Sequence, residues 1–542
     1  MPFKFESFFP YPTIRDVQNK AIDFCLDSFV NQEKRFVVVE AGTGVGKSAI
    51  GVTVSRYLNA NVDNDLHDEN FSPGAWFVTT QKILQDQYVN DFGPSRGKMC
   101  SVKSSSNYAC SYHKGNSCQE SQRALRAEDT KSRFFKACTF NCHYKNAKRD
   151  FIESTESVTN FPYFLTEAKY SGKITPRNLL IVDEAHNLES ELSKFIEIIV
   201  SERFCKHTLK LQWPRASTQF QVVRWIKEIY FPKAKSQLAH FEKMIKQTGL
   251  KNRLKEFTSV ARQYDLLKSH VEKINTFLRI YNKENWVMQT VPAFGRSLRK
   301  FSFRAIDISP FAQDYLFCLG KRVLMMSATI LDKDTFCKSL NIPRDEVSFI
   351  SIPSPFPAEN RPIYFFPIGS MSSKNIEYSL PKMAKAVKEI LNEHPDEKGI
   401  IHCHTFRIAN YLKKKIRSKR LLIHTSENRD SVLQEHISSS ESTVLLSPSM
   451  SEGVDLKGDL SRFQIIMKIP YPYLGDPLIK KRMNKWEGWY SLQTAKLIVQ
   501  SSGRSIRSND DAAVTYILDS DWTRFYGRNK SIFPTSFKEC LK

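Results

Sequence analysis

The segment from Arg35 to Leu58 constrains the fold more than any other part of the chain. Its uninterrupted apolar run, Arg35–Glu40, is typical of a strand buried in a parallel sheet. The run leads directly into Ala41-Gly42-Thr43-Gly44-Val45-Gly46-Lys47-Ser48, and a helical pattern follows from Ala49 to Leu58. This order of strand, glycine-rich loop and helix predicts an α/β fold with a phosphate-binding loop.

The loop has the chemistry that a nucleoside triphosphate and Mg²⁺ need. Backbone N–H groups at the positive end of the following helix would surround the phosphates, and they belong to Gly42, Thr43, Gly44, Val45 and Gly46. Lys47 would neutralise the β and γ oxygens, while the Ser48 hydroxyl would bind Mg²⁺. The strict motif begins with glycine, whereas this chain has Ala41, so a plain glycine turn is the alternative interpretation.

A pair of carboxylates is predicted at the same sheet edge. Further strands are predicted at Ala75–Thr79, Leu179–Asp183 and Val323–Met326. The second of these ends in Asp183-Glu184-Ala185-His186. Ligands bind at the carboxyl ends of parallel strands, so we expect Asp183 to hold Mg²⁺ and Glu184 to orient and deprotonate a water molecule. By itself the tetrapeptide could also be a helix start that Asp183 caps.

Composition and charge indicate a globular protein that contacts a polyanion. The 542 residues are 41% hydrophobic and 12% aromatic, which excludes a disordered chain. They carry 80 Lys and Arg against 57 Asp and Glu, a formal net charge of +23. The excess lies in two segments: residues 95–150 have 12 basic and 4 acidic side chains, and residues 201–304 have 22 and 7. Nucleic acid is the predicted partner of these segments. Two well-solvated helical faces are the alternative.

The ends and apolar runs of the sequence bear on its location. No apolar run is long enough to cross a bilayer, and the amino terminus lacks the apolar region of a secretory signal. We therefore expect a soluble protein with no membrane partner, cytoplasmic in a prokaryote or virus and nuclear in a eukaryote.

Five of the 11 cysteines lie between residues 100 and 142. An intracellular chain of this length is not expected to need disulfides, so the cysteines favour a metal site.

The later part of the chain repeats the α/β pattern. Strands are predicted at Gly399–Cys403, Leu421–His424, Thr443–Leu446 and Phe463–Ile469. They are followed by Glu452-Gly453-Val454-Asp455 and by Gln500–Arg507, for which a helix is predicted. Arg504 and Arg507 would share one face of that helix, where two guanidinium groups suit the charge of a transferring phosphoryl group. A pair of surface arginines is the alternative.

A long amphipathic helix is predicted within the second basic segment. Apolar residues recur there every three or four positions, at Leu250, Leu254, Phe257, Val260, Tyr264, Leu267, Val271, Ile274 and Leu278. This stripe should face a core. The Lys and Arg residues on the opposite side would be available to a nucleic-acid strand.

Taken in order, these motifs resemble those of superfamily-two helicases of the XPD/DinG family. The matching segments are Arg15–Gln18 (R-x-x-Q), Glu40–Ser48 (E-A-x-T-G-x-G-K-S), Thr79–Gln87 (ending L-Q-D-Q), Asp183–Asn187 (D-E-A-H-N), Ser327–Thr329 (S-A-T), Glu452–Asp455 (E-G-x-D) and Gln500–Arg507 (Q-x-x-G-R-x-I-R). The family's loop opens with alanine, as Ala41 does here. The resemblance implies that Arg15 and Gln18 lie on the adenine side of an ATP site. It also implies that Asp455, Gln500, Arg504 and Arg507 complete that site.

The resemblance also assigns the two inserts. In the family, the first carries four cysteines that bind a 4Fe–4S cluster, and the second forms a helical arch. The N-Y-x-C motif at Asn107–Cys110 and the cysteine before His143-Tyr144 favour Cys110, Cys118, Cys138 and Cys142 as ligands, with Cys100 left over. Thiolate-only ligation suits iron–sulfur chemistry. Zinc and reduced thiols without metal are the alternatives.

These expectations define an architecture of two RecA-like motor domains with parallel sheets, a small cysteine-rich insert and a helical arch insert. Motor domain 1 is predicted at residues 1–94, 151–189 and 306–345, the cluster insert at 95–150, the arch insert at 190–305, and motor domain 2 at 346–542. The predicted function is that of an ATP- and Mg²⁺-dependent DNA helicase in repair or replication. Family resemblance implies a monomeric motor moving 5′ to 3′ on single-stranded DNA at a forked duplex. A nucleic-acid-stimulated ATPase that remodels protein–DNA complexes without unwinding is the alternative.

Overall fold

The computed structural model describes most of the chain. The described residues are 3–42, 44–63, 69–94, 97–251, 253–295, 297–425, 427–448, 456, 458–503, 505–506 and 511–542. Four residues with predicted site roles, Thr43, Asp455, Arg504 and Arg507, lie outside them.

The strands alternate with helices in both halves of the chain, as an α/β fold requires. The strands are β1 (Phe36–Ala41), β2 (Ser72–Thr79), β3 (Cys100–Ser101), β4 (Glu156–Asn160), β5 (Arg177–Asp183), β6 (Ile198–Ser201), β7 (Trp286–Val291), β8 (Lys300–Ala305), β9 (Gly320–Ser327), β10 (Val347–Ile352), β11 (Ile363–Gly369), β12 (Gly399–His402), β13 (Leu421–Ile423), β14 (Val444–Ser447), β15 (Phe463–Ile466) and β16 (Val514–Asp519).

The helices cover the faces of these sheets and fill the inserts. They are α1 (Asp16–Val30), α2 (Lys47–Asn61), α3 (Lys82–Phe92), α4 (Cys118–Leu125), α5 (Arg133–Phe140), α6 (His143–Glu153), α7 (Phe161–Thr166), α8 (Leu188–Ile196), α9 (Glu202–Phe204), α10 (Gln219–Trp225), α11 (Phe231–Lys246), α12 (Thr248–Lys251), α13 (Leu254–Ile280), α14 (Ser309–Tyr315), α15 (Lys333–Ser339), α16 (Ile376–Glu393), α17 (Phe406–Ile416), α18 (Arg429–Ser438), α19 (Pro477–Lys485), α20 (Trp489–Ser502), α21 (Asp521–Asn529) and α22 (Thr535–Lys538).

The first sheet is parallel and has the strand order β10-β1-β9-β5-β2-β4-β3. Strand β1 is buried at every position, so it has apolar residues facing both layers of helices. Its parallel pairing with β10 corrects the predicted start of motor domain 2 at residue 346. Residues 347–352 form the outer strand of the first sheet, in register from Phe36 with Val347 to Ala41 with Ile352.

The second sheet is also parallel, with the order β11-β16-β15-β12-β14-β13. The four strands predicted in this region are present within one to three residues of their predicted bounds. Strands β11 and β16 were not predicted. Strand β11 is an edge strand that contains Pro367 and alternates irregularly between exposed and buried positions, which hides it from pattern analysis. Two RecA-like parallel-sheet domains, the predicted fold class, are confirmed.

The inserts between the motifs share a hydrophobic core with the first sheet, because buried residues of both inserts pack in one cluster with those of its strands. The first, around α4, α5 and α6, lies beside the short strand β3. The second is helical as predicted, and α13 buries Phe257, Leu267, Val271 and Ile274 of the predicted stripe. It is not purely helical, however, because an antiparallel sheet of order β6-β8-β7 forms its base. Within the described residues, no helix combines the length and apolar composition that a transmembrane segment requires.

Candidate active site and cysteine cluster

The phosphate-binding loop connects β1 to α2 and is held by helix α1. Gln18 is buried and donates from Nε2 to the Val45 carbonyl at 2.8 Å, while its Oε1 accepts from the Arg15 backbone N–H. Arg15 donates to the carbonyls of Gly44 at 2.9 Å and Val45 at 3.1 Å. Gly46 has φ +89° and a Cβ there would lie 2.4 Å from Gln18 Nε2, so only glycine fits. The Arg15 and Gln18 side chains therefore hold the phosphate-binding loop in this conformation.

The predicted lysine, serine and carboxylates converge at the carboxyl edge of the first sheet. Lys47 and Ser48 begin α2, and Asp183 ends β5. Lys47 Nζ lies 3.9 Å from Glu184 Oε1. Asp183 is almost fully buried, and its Oδ1 accepts from the Glu184 N–H at 2.9 Å. A serine hydroxyl and a carboxylate are oxygen donors that suit Mg²⁺, so this pair fits the predicted ion.

The electrostatics of Asp183 reflect its position between like and opposite charges. Burial, followed by the neighbouring Glu184 charge, raises the pKa of Asp183 to about 6, while Lys47 opposes the shift. Glu184 has φ +53°, a left-handed conformation that is uncommon for a residue with a side chain. Such backbone geometry is found at functional sites, where surrounding contacts hold it.

A tyrosine that the sequence analysis missed lies beneath these residues. Tyr88 of α3 is buried and donates from Oη to Asp183 Oδ2 at 3.1 Å, and the Ser48 side chain lies nearby. Tyr88 directly follows the Gln81–Gln87 motif, and the sequence carries no signal that its side chain turns inward to the carboxylate. Only the packing of α3 on β2 and β5 brings it there.

The second lobe supplies the opposite wall of the site. Gln500, on α20, donates from Nε2 to His186 Nε2 at 2.7 Å and to Thr329 Oγ1 at 2.9 Å. His186 Nδ1 lies 2.8 Å from Ser327 Oγ and 3.3 Å from Glu184 Oε2. This hydrogen-bonded chain links the D-E-A-H and S-A-T segments of the first lobe to the second lobe.

The two lobes enclose a cavity of about 1080 Å³ at this junction. Lys47, Glu184, His186 and Gln500 are among the residues that line it. Helix α20 ends at Ser502, which corrects the prediction of a continuous helix over Gln500–Arg507. Arg504 and Arg507, for which a shared helical face is predicted, lie outside the described residues.

Four of the five cysteines between residues 100 and 142 form one group, and Cys100 lies apart from it. Cys118 Sγ lies 3.8 Å from Cys142 Sγ, and the charges of Cys138 and Cys110 also act on Cys118. Burial, together with these thiols, raises the pKa of Cys118 to about 12. Burial would raise the pKa of Cys110 as well, but hydrogen bonds from Ser121 and nearby backbone N–H groups hold it below its usual value. Among the described residues, no group of three or more His, Cys, Asp or Glu side chains has an arrangement that could hold a metal ion.

Cys100 belongs to a different part of the molecule. It lies in β3, which pairs with β4 at the edge of the first sheet, and its Sγ contacts the Lys98 carbonyl at 3.7 Å. The thiols near Cys118 are instead carried by the α4–α6 insert and the turn before α4.

Two domain families match the chain. The helicase C-terminal domain matches residues 387–540, and the res subunit of type III restriction enzymes matches residues 12–212. The first region contains strands β12 to β16 of the second sheet, and the second contains strands β1 to β5 of the first sheet. Each of the two models covers less than half of the chain, so each is a similarity of one region.

Individual proteins and a solved structure are also similar to the chain. The chain is 26% identical over 239 residues to ATP-dependent DNA helicase DinG of Photobacterium profundum, covering 40% of this chain and 34% of that protein. It is 25% identical over 211 residues to ATP-dependent DNA helicase YoaA of Escherichia coli, covering 36% and 32%. The chain thus spans about a third of the length of these two relatives. A solved XPD helicase matches with a TM-score of 0.64 at 16% identity, covering 98% of this chain and all of that one. The chain is thus similar to these helicases over part of its length, and its fold is similar to that of the XPD helicase over nearly all of it.

Proposed function

We propose that the chain is an ATP-dependent DNA helicase that translocates on single-stranded DNA. The observation that carries the proposal is the contact of Gln500 with His186 and Thr329, beside Lys47 and Glu184. It makes the hydrolytic site a junction between two lobes. ATP bound there would contact both lobes, and its hydrolysis would remove that bridge and let them separate.

The site residues divide the chemistry of hydrolysis among them. Lys47 and the loop N–H groups would bind the phosphates, and Ser48 with Asp183 would hold Mg²⁺, which neutralises charge on the β and γ oxygens. Glu184 would orient the attacking water and accept its proton. Arg504, Arg507 and Asp455 stay predicted members of this site, and Arg15 and Gln18 stay predicted contacts on its adenine side.

A second cavity between the lobes supports a nucleic-acid path. Its volume is about 1370 Å³, and its lining contains Lys468, Lys496, Tyr471 and Tyr490 together with carboxylates such as Glu191. The two tyrosines stack with centroids 5.9 Å apart. Basic side chains bind the backbone of a single strand and aromatic rings stack on its bases, without sequence preference. A forked duplex as substrate, 5′-to-3′ movement and a monomeric motor are parts of the proposal that rest on the family resemblance.

We further propose that the cysteine group binds a 4Fe–4S cluster. Supporting observations are the 3.8 Å approach of Cys118 and Cys142, the charge interactions of Cys118 with Cys110 and Cys138, and the separate location of Cys100. Four thiols and no histidine suit iron–sulfur ligation, although zinc accepts the same donors. When bound, the cluster would cross-link the α4–α6 insert.

The domain division is also proposed in a revised form. Motor domain 1 would comprise residues 1–94, 151–189 and 306–352, with the cluster insert at 95–150 and the arch insert at 190–305. Motor domain 2 would then begin after β10, which belongs to the first sheet. A role in DNA repair or replication fits this architecture.

Lys47→Ala provides the test of the motor. We expect the variant to bind single-stranded DNA like the parent and to lose ATP hydrolysis, because the phosphates lose their cation. Strand displacement on substrates with 5′ or 3′ tails then tests unwinding and its direction. ATP turnover on DNA without strand separation would favour a remodelling ATPase, and unchanged turnover by Lys47→Ala would refute the site.

Anaerobic purification with iron, sulfide and zinc quantified tests the cluster. We expect the parent protein to be brown and to contain iron and sulfide, and Cys118→Ser to lose the colour. Cys100→Ser is the matched control and should keep it. A colourless parent protein, or a parent that contains zinc only, would contradict the cluster.

A further inference from the structure

The roles proposed above for ATP hydrolysis do not include Tyr88. It lies in the middle of α3 with only 2% of its surface exposed, and its ring packs against Phe77 at 5.7 Å and Phe92 at 5.9 Å. Its hydroxyl reaches the carboxyl edge of the first sheet, where it donates to Asp183 Oδ2 at 3.1 Å. Burial raises the pKa of Tyr88, and the Ser48 side chain lies near enough to lower it. One phenol is therefore close to two side chains that come from different elements.

These two partners are the residues whose oxygens fit Mg²⁺. Mg²⁺ demands near-ideal octahedral geometry, so its protein ligands must be held at fixed angles. The Asp183 carboxylate is fixed at both oxygens, by the Glu184 N–H on Oδ1 and by Tyr88 on Oδ2. A hydrogen bond to a carboxylate is stronger than one between neutral groups, so Tyr88 restrains the rotation of this side chain.

We propose that Tyr88 is a positioning residue that orients Asp183, beside Ser48, for Mg²⁺. The inference rests on the proposed function, because it assumes a magnesium nucleotide at this site. The helix that carries Tyr88 also borders the cavity between the lobes, which Ile83, Leu84 and Gln87 help to line. Asp183 is thus held by α3, the helix that reaches the cavity between the lobes, and the predicted metal site does not depend on the phosphate-binding loop alone.

Tyr88→Phe tests the proposal, since it keeps the ring in its packing site and removes only the hydroxyl. Binding of a fluorescent ADP analogue is measured while Mg²⁺ is titrated. We expect the half-saturating Mg²⁺ concentration to rise about tenfold, the change that one charged hydrogen bond supports. Affinity for the analogue in EDTA should stay within about twofold of the parent, because Tyr88 does not touch the nucleotide site directly. ATP turnover at limiting Mg²⁺ should fall and should recover at high Mg²⁺.

Tyr230→Phe is the matched control, because the hydroxyl of Tyr230 is also buried but contacts His270 in the arch insert at 2.7 Å. It should leave the Mg²⁺ titration unchanged. An unaltered titration for Tyr88→Phe, with the parent protein binding the analogue and responding to Mg²⁺, would overturn the inference. A parent protein that binds no magnesium nucleotide would instead overturn the proposed function. Melting temperatures in EDTA show whether either variant has lost its fold.

Discussion

At the residue scale, Gln18 and Arg15 have partners that the family resemblance does not imply. The resemblance puts both on the adenine side of the nucleotide. In the structure, the two ends of the Gln18 amide are engaged by the Val45 carbonyl and the Arg15 N–H, and the Arg15 guanidinium is engaged by two loop carbonyls. Their observed contribution is to shape the phosphate-binding loop, which any nucleoside triphosphate would share.

Gln18→Ala separates these two roles. If Gln18 holds the loop, the variant should lower turnover of ATP and GTP by the same factor, about tenfold for a loss of about 1.4 kcal/mol. A loss confined to ATP would instead assign Gln18 to the base. The measurement is kcat/KM for both nucleotides in the presence of DNA. Asn19→Ala, at the exposed next position of α1, should leave both values unchanged.

Sequence reasoning located Lys47 and the carboxylates of the site, and the family resemblance named Gln18 and Gln500, but neither predicted Tyr88 or the contact of Gln18 with the Val45 carbonyl. The strand–loop–helix order and the carboxylates after β5 predict the meeting of Lys47 with Glu184, because parallel strands end at one edge. The positions of Gln18 and Tyr88 depend on how α1 and α3 pack. A glutamine or a tyrosine on an amphipathic helix has no pattern that distinguishes a buried hydrogen bond from ordinary packing.

At the element scale, α13 carries a histidine whose environment couples the arch insert to pH. The His270 ring packs against Phe204 at 5.2 Å, and its Nε2 lies 2.7 Å from Tyr230 Oη. Burial, with a smaller effect from nearby Lys273, lowers the pKa of His270 to about 4 from 6.5. The folded arch therefore favours the neutral imidazole.

Acidification should destabilise the arch insert through this residue. With its folded pKa below its unfolded pKa, His270 contributes stability above pH 6.5 that is lost as the pH falls towards 4. The unfolded state binds the extra proton in that interval, and the loss amounts to about 2–3 kcal/mol. Hydrogen exchange of residues 254–280 between pH 7 and pH 4.5 measures it.

His270→Gln should flatten this pH profile relative to the parent. His240→Gln, at an exposed position of α11, should reproduce the parent profile, because that imidazole is solvated. Identical pH profiles for the parent and His270→Gln would show that His270 is not the group responsible.

The elements themselves show where pattern analysis succeeds. Central strands such as β1 and β5 are continuous apolar runs and were predicted, since both of their faces are buried. Strand β10 was placed in the wrong domain because nothing in its own sequence specifies which sheet edge it joins. The helix predicted through Arg507 stops at Ser502 with Gly503 as its carboxyl cap, a position where glycine commonly ends a helix.

At the scale of the whole molecule, the second lobe contacts the residues at both ends of the arch insert. Arg482 of α19 lies 2.7 Å from Glu189, which precedes the arch, and donates to the carbonyls of Ala305 and Ile306, which follow it. Beside it, Arg304 contacts Asp476 at 2.6 Å, and Lys485 contacts Asp307 at 2.7 Å. These contacts connect the second lobe directly to the base of the arch.

Arg482→Met should loosen this connection. Arg482 is only 5% exposed, and removing one partner of a buried ion pair costs about 3 kcal/mol, because Glu189 then keeps its charge with only the Trp489 N–H at 3.2 Å. We expect urea unfolding of the DNA-free protein to begin at lower concentration and its transition to broaden, because the lobes lose one of their shared contacts. Lys385→Met removes an exposed pair with Glu389 on α16 and should change nothing measurable.

The double variant Arg482→Met with Glu189→Gln should be more stable than the sum of the single losses predicts, because the unpaired carboxylate is gone. Strict additivity, or an Arg482→Met protein as stable as the parent, would mean that the arch roots are held by packing rather than by this ion pair.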